Sequence, residues 1–210
     1  MKRVAATMFA LVLGVQAAAA AVAAFSVQGK VPDVLVHGES AEALAQRLGQ
    51  AALPIDDVVV PACAARVFVI RELSKVEAND PVLVQVSKGR PIWHLRLEGT
   101  GCGAVRKHNI YLFDQGEKPI KVAPTLPGDT AANLKLQLDA MEIIGPPADA
   151  MGPQTCAQHS VVIDTKIVDA PNGKAPWSES WTFRKCAADL RFRMTFTPDA
   201  TGAGISARKE

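Results

Sequence analysis

Apolar residues along this chain follow two layouts in turn: a stripe at helical spacing, then short alternating runs broken by turn-forming clusters. Ala41, Leu44, Ala45 and Leu48 stand at i, i+3, i+4 and i+7, the apolar face of an amphipathic helix. Ser40 is placed to cap that helix, and Glu42 in its first turn complements the helix dipole. Gly49 or the Leu53-Pro54 pair predicts its end. Strand signals follow. Val67-Phe68-Val69-Ile70 is apolar and β-rich, Val82, Val84 and Val86 alternate with other residues, and Trp93, Leu95 and Leu97 alternate with Ile92, His94 and Arg96. Asn109 to Phe113 closes the series after the Gly-rich turn at Gly99-Thr100-Gly101-Cys102-Gly103. This reads as a helix and an antiparallel meander of three or four strands.

The layout then returns. Gly38-Glu39-Ser40-Ala41 with Leu44 and Leu48 is echoed by Gly128-Asp129-Thr130-Ala131 with Leu134 and Leu138. Leu134, Leu136 and Leu138 also alternate as a strand would, but Met141 extends the Leu134, Leu138 row, and a helix ending at Gly145-Pro146-Pro147 is expected. Thr130 or Asp129 is its expected cap. Val161-Val162-Ile163, then Trp177, Glu179, Trp181 and Phe183, then Leu190, Phe192, Met194 and Phe196 predict three further strands, with Pro171-Asn172-Gly173 as a turn.

Cysteines sharpen the echo. Trp93 lies nine residues before Cys102 and Trp177 nine before Cys186, with Cys63 and Cys156 as the earlier members. A unit of roughly 90 residues is therefore repeated. Four cysteines allow three pairings, and the repeat selects Cys63–Cys102 and Cys156–Cys186. Each such closure stabilises by roughly 3.5–4 kcal/mol in the chain-entropy model, a large contribution for a small, aromatic-poor unit. The expected fold class is α+β: two related units, each a helix followed by an antiparallel β-meander of three to four strands, each stapled by a disulfide. The expected limits are 1–24 for a leader, 25–117 and 118–200 for the units, and 201–210 for a flexible tail.

The leader follows from Met1-Lys2-Arg3, the apolar run Val4 to Val15 and the small residues Ala17 to Ala24, the pattern of a secretory signal peptide. Its apolar stretch is too short to span a bilayer core of about 30 Å, so no stable membrane insertion is expected after cleavage. The full chain carries 23 Lys plus Arg against 21 Asp plus Glu. Without Lys2 and Arg3 the two counts are equal, and no basic track suited to a phosphate backbone remains. Nucleic acid is not an expected partner, and a periplasmic or secreted location, which permits disulfides, is.

Candidate chemistry is sparse. There is no C-x-x-C, no H-E-x-x-H and no G-x-S-x-G in the chain. Cys156-Ala157-Gln158-His159 has ligand-like spacing, but Cys63-Ala64-Ala65-Arg66 has no matching histidine, so neither a metal nor a cofactor is expected. Gly99-Thr100-Gly101-Cys102-Gly103 lacks the lysine and following helix of a phosphate loop. The one aromatic platform is Trp177, Glu179 and Trp181 on a single strand face. Exposed, it would stack against a sugar or seat a partner; turned inward, the same residues would pack the sheet over a helix.

Trp177-x-Glu179-x-Trp181, then Cys186, then Phe196-x-Pro198-Asp199-x-x-Gly202 resembles the ending of uncharacterised exported proteins of Gram-negative bacteria, and Leu136-Gln137-x-Asp139-Ala140 fits the same pattern. The likeness covers about the last 80 residues and departs at Cys186-Ala187, where such proteins often have Cys-Gly. It implies an exported, disulfide-bonded protein and transfers no catalytic residue. The expected function is a non-enzymatic interaction or binding module of the cell envelope, with an envelope or secreted protein as partner and inhibition of a secreted enzyme as one form. The alternatives are a small cell-wall or carbohydrate hydrolase using Glu179 with Trp177 and Trp181, and a metal-handling protein using histidine and acid clusters, for which His159→Ala is the test.

Overall fold

The computed structural model describes residues 25–77, 81–200 and 202–210; the expected leader lies outside them. The chain folds into two sheets of mostly antiparallel strands, each covered by one long helix. Strand β1 (Phe25–Gln28) leads through a 3-10 turn at Asp33–Leu35 into α1 (Ala41–Val59). Then come β2 (Arg66–Val76), the short helix α2 (Pro81–Ser87), β3 (Ile92–Gly101), β4 (Ala104–Gln115) and β5 (Lys118–Pro124). The second half holds α3 (Leu134–Met151), β6 (Val161–Asp169), β7 (Trp177–Lys185), β8 (Ala188–Pro198) and β9 (Ala203–Lys209). One sheet has the order β1-β2-β3-β4-β5, with β1 parallel to β2, and the other the order β6-β7-β8-β9.

Ser40 caps α1 as expected, its Oγ accepting from Ala43 N at 3.2 Å. Leu44, Leu48 and Ala52 bury against Phe68, Leu95, Leu97, Ile110 and Leu112 of the first sheet. The helix runs past Pro54 to Val59, where the sequence predicted an end at or before the proline. Proline removes one i→i−4 hydrogen bond. Packing on both sides of it keeps the helix going, because Ala52 and Asp56 are both buried.

Helix α3 is likewise longer than expected and contains Pro146 and Pro147. Its cap is Asn133, which accepts from Leu136 N at 3.0 Å, not Thr130 or Asp129. The later start turns its face: Leu136, Ala140, Ile144 and Ala148 bury on the second sheet, while Leu138 of the predicted row is exposed. Leu134 instead packs with Leu83, Ile92, Tyr111 and Phe113 on the first sheet's far side.

Three strand expectations change. The alternating valines at 82, 84 and 86 lie in helix α2, which begins at Pro81 and buries Leu83 and Ser87 one turn apart; a run this short fits both periods, and a proline suits a first helical turn. Residues 118–124, assigned from sequence to the second unit, form β5 of the first sheet. The tail expected to be flexible is strand β9, paired with β8 from Phe192↔Lys209 to Pro198↔Ala203. Its small and charged residues suit an edge strand, which needs only one apolar face. The second sheet therefore has four strands rather than three.

Both disulfides form as predicted, Cys63–Cys102 and Cys156–Cys186. Each ties the approach to a sheet's first long strand to the turn of its central hairpin, β3–β4 or β7–β8. No helix among the described residues is long and apolar enough to cross a membrane.

A candidate binding cleft between the two sheets

The predicted platform is not a surface. Trp177, Glu179 and Trp181 share one face of β7, and that face is the side covered by α3: Trp181 packs with Phe183, Phe192 and Phe196 in the core, and Trp177 stacks on Phe196 at 5.0 Å between ring centroids. Glu179 has 0% exposure. Its carboxylate accepts from Thr130 Oγ1 at 2.8 Å, Ala131 N at 2.8 Å, Ala132 N at 3.2 Å and Trp181 Nε1 at 2.8 Å. Residues on one strand face share an environment, so the alternation that grouped the three also enclosed them. A solvent-borne sugar does not reach this acid, and Glu179 acts as a clamp on the segment entering α3.

That segment joins the sheets. After β5, Thr125 N donates to Asn109 O (2.9 Å), Gly128 N to Lys107 O (2.9 Å) and Asp129 N to Thr165 O (2.8 Å). Asn109 Nδ2 donates back to Leu126 O at 2.8 Å and Gly128 O at 3.0 Å, and Thr165 Oγ1 donates to Pro127 O at 2.7 Å. Residues 125–129 thus lie between β4 of one sheet and β6 of the other. Gly128 sits at φ +91, and a Cβ there would fall 2.3 Å from Thr165 O. Arg184 of β7 adds a second link, its Nη1 donating to Val58 O at 3.0 Å and Val59 O at 3.3 Å, the free carbonyls at the end of α1.

Between the linker, the end of α1, the start of β4 and the outer face of the second sheet lies a cleft of about 540 Å³. One wall carries Val105, Lys107 and His108 and the other Thr182 and Arg191. The first wall is backed by a buried ionic cluster. Asp56, with 0% exposure, accepts four hydrogen bonds: from Arg66 Nε (3.2 Å), Arg106 Nε (2.6 Å), Arg106 Nη2 (2.8 Å) and His108 Nε2 (2.9 Å). Arg66 also reaches Asp57 at 2.6 Å and the carbonyls of Cys63 at 2.8 Å and Val60 at 3.0 Å, next to the disulfide. Burial pushes the Asp56 carboxyl upward, but hydrogen bonds from His108 and Arg106 and their charge outweigh it and hold the group below its ordinary value. An ionised Asp56 can only accept, so His108 donates from Nε2 and leaves Nδ1 without a proton in the neutral ring.

The fold does not require these charges. The hairpins close at Gly101↔Ala104 and Lys185↔Ala188, so Arg106 and His108 correspond by register to Leu190 and Phe192. Asp56 ends the i, i+4 row Leu44-Leu48-Ala52, where the α3 row Leu136-Ala140-Ile144 ends in Ala148. The second sheet carries Leu190 and Phe192 at the hairpin positions where the first carries Arg106 and His108. Sequence reasoning missed this cluster. The available signal was reversed polarity at the start of β4, where Val105 is 68% exposed and Arg106 and His108 face inward with Ile110 and Leu112.

The remaining histidines lie apart from the cleft's ionic wall. His94 of β3 pairs with Asn109 of β4 at 3.2 Å, and burial lowers its pKa. His159 is surface-exposed, with Nδ1 at 2.7 Å from Asp149. Asp149 also accepts from Ser160 N and, at 2.7 Å, Ser160 Oγ, so one carboxylate holds both neighbours. The Ser160 backbone hydrogen bond, then His159 and the Ser160 hydroxyl, place the Asp149 carboxyl well below its ordinary value. Among the described residues no group of three or more His, Cys, Asp or Glu is arranged to hold a metal ion. No protein-family model matches this chain, and neither the curated proteins nor the solved structures provide a match.

Proposed function

We propose that this chain is an exported, non-enzymatic binding module of the cell envelope, and that its partner enters the cleft between the two sheets. The observation that carries the reading is the asymmetry between the halves: buried ions stand behind the cleft wall at positions where the other half is apolar. Buried ionic groups seldom add net stability over well-packed apolar ones, so their retention beside a concave surface argues for a role in recognition. The leader-like start, the two disulfides and the likeness to exported Gram-negative proteins support an oxidising compartment. An envelope or secreted protein is the favoured partner, because the balanced charge does not suit nucleic acid.

The two halves are read as copies of one module. The tryptophan-to-cysteine steps agree, each half holds one disulfide, and the buried rows Leu44-Leu48-Ala52 and Leu136-Ala140-Ile144 run alike on the two long helices. The ionic cluster would then be a later specialisation of the first copy.

Affinity capture from envelope extract with the mature chain and with Thr182→Trp tests the reading, since Thr182 lines the cleft and an indole would fill it. A partner retained by the wild type and lost from the folded variant is the expected result. Recovery of the same set by both proteins would refute the cleft as the site.

A further inference from the structure

We infer that the occupant of the cleft is an extended peptide segment that pairs with an unfilled edge of β4 and sets a carboxylate against Arg191. This deepens the reading above and rests on it. β4 runs Ala104–Gln115, but β5 pairs with it only from Ile110 onward. In an antiparallel ladder, backbone groups alternate between the two neighbours. Because the hairpin closes at Gly101↔Ala104, residues 104, 106 and 108 bond β3, while 105, 107 and 109 turn their N–H and C=O to the other side. The linker confirms that parity by donating to the carbonyls of Asn109 and Lys107. Outside the ladder with β3 no backbone hydrogen bond involves the N–H of Lys107 or the N–H and C=O of Val105, and the register turns all three away from β3.

Chain chemistry keeps this edge open. After Thr125, whose N–H donates to Asn109 O, the chain turns away through Pro127 and Gly128 toward β6. Exposed edges invite indiscriminate pairing and are usually blunted by charge or cover. This one presents Val105, an apolar and largely exposed residue, beside Ile55, Val59 and Ile163. It lines the cleft of about 540 Å³. Main-chain pairing supplies affinity in such additions, and side chains on alternate positions supply selectivity.

The opposite wall supplies the charge. Arg191, on the outer face of β8, makes no salt bridge among the described residues; its charge acts on Asp189 and Glu210, but their hydrogen bonds go to Arg184 at 2.7 Å and Arg193 at 3.0 Å. A carboxylate carried on the strand, from an acidic side chain or a chain terminus, is the complement.

Amide chemical shifts of the isotopically labelled mature protein test this with two probes. One is acetyl-Thr-Val-Thr-Val-Asp-amide; the other is acetyl-Thr-Val-Thr-Val with a free terminal carboxylate. Saturable shifts at Val105 and Lys107 are expected, and the tighter probe identifies the carboxylate source. Affinity should fall roughly tenfold or more in Arg191→Ala, as for loss of a charged hydrogen bond. It should vanish on N-methylation of one pair, the valines or the threonines, and survive N-methylation of the other, since the two pairs face opposite sides of an extended strand and only one side meets β4. Val105→Pro removes the edge N–H and should abolish binding, with Val105→Ala as the folded control. No saturable shift at millimolar probe, or binding indifferent to N-methylation and to Arg191, would overturn the inference. If the peptides fail while Thr182→Trp still loses a captured partner, the strand is wrong and the cleft stands; if Thr182→Trp loses nothing, the cleft itself is wrong.

Discussion

Replacing Asp56 by alanine should be among the most damaging single changes in the first half, and restoring apolarity around it should reverse most of the damage. Asp56 is fully buried and answers Arg66, Arg106 and His108 at once. Its removal leaves Arg106, itself buried, without a carboxylate, and breaking a buried pair from one side costs about 3–5 kcal/mol. For a chain of this size that corresponds to a fall of about 6–20 °C in Tm. The second half shows the alternative filling, Ala148, Leu190 and Phe192. The triple variant Asp56→Ala, Arg106→Leu, His108→Phe installs it, while Arg66 keeps Asp57 and the carbonyls of Cys63 and Val60. Its stability should return to within about 2 kcal/mol of the wild type, since whole buried ion clusters are often replaceable by packed apolar groups. Urea titration at neutral pH under non-reducing conditions measures both. A loss below about 1 kcal/mol in Asp56→Ala, or a triple variant no better than the single, would refute the reasoning. A stable triple variant that no longer captures its partner would separate recognition from folding.

Gly128→Ala should lower stability by more than about 2 kcal/mol, because a left-handed backbone already costs an alanine about 1–2 kcal/mol and its Cβ would meet Thr165 O and N at 2.3 and 2.5 Å; an unchanged denaturation midpoint would sink this. Glu179→Ala should cost about 2 kcal/mol or more, as the N–H groups of Ala131 and Trp181 lose their acceptor while Ala132 N keeps Thr130 Oγ1 at 3.1 Å, and thermal unfolding of the variant reads it directly. Acid sensitivity has a defined sign. The folded-state values of Asp149 and Asp56 both lie below the ordinary 3.8, so each contributes stability that is present above that value and lost as pH falls through the folded-state one. Asp149→Asn should therefore flatten the acid limb of a stability–pH curve, and superimposable limbs would contradict the assignment.

The sequence by itself determined the local chemistry of this protein. The four cysteines and their tryptophan markers identified the pairing, since the matching tryptophan-to-cysteine spacing can be read along the chain. Ser40 announced its helix because a cap is a contact within four residues. The alternation of Trp177, Glu179 and Trp181 correctly placed three side chains on one face. Which face was inward is not a local property: period-two alternation says nothing about the side on which a helix lies, and only the docking of α3 turned the acid from a surface group into an internal clamp. The same holds for the prolines inside α1 and α3, where packing overrode a local break, and for β9, whose strand exists through its pairing with β8. The cleft is the furthest case. Asp56 meets Arg106 and His108 about fifty positions away, and the bare edge of β4 arises from where β5 stops. Such features come from distant segments being brought together, and that information is carried by the closed tertiary structure, not by any window of the chain.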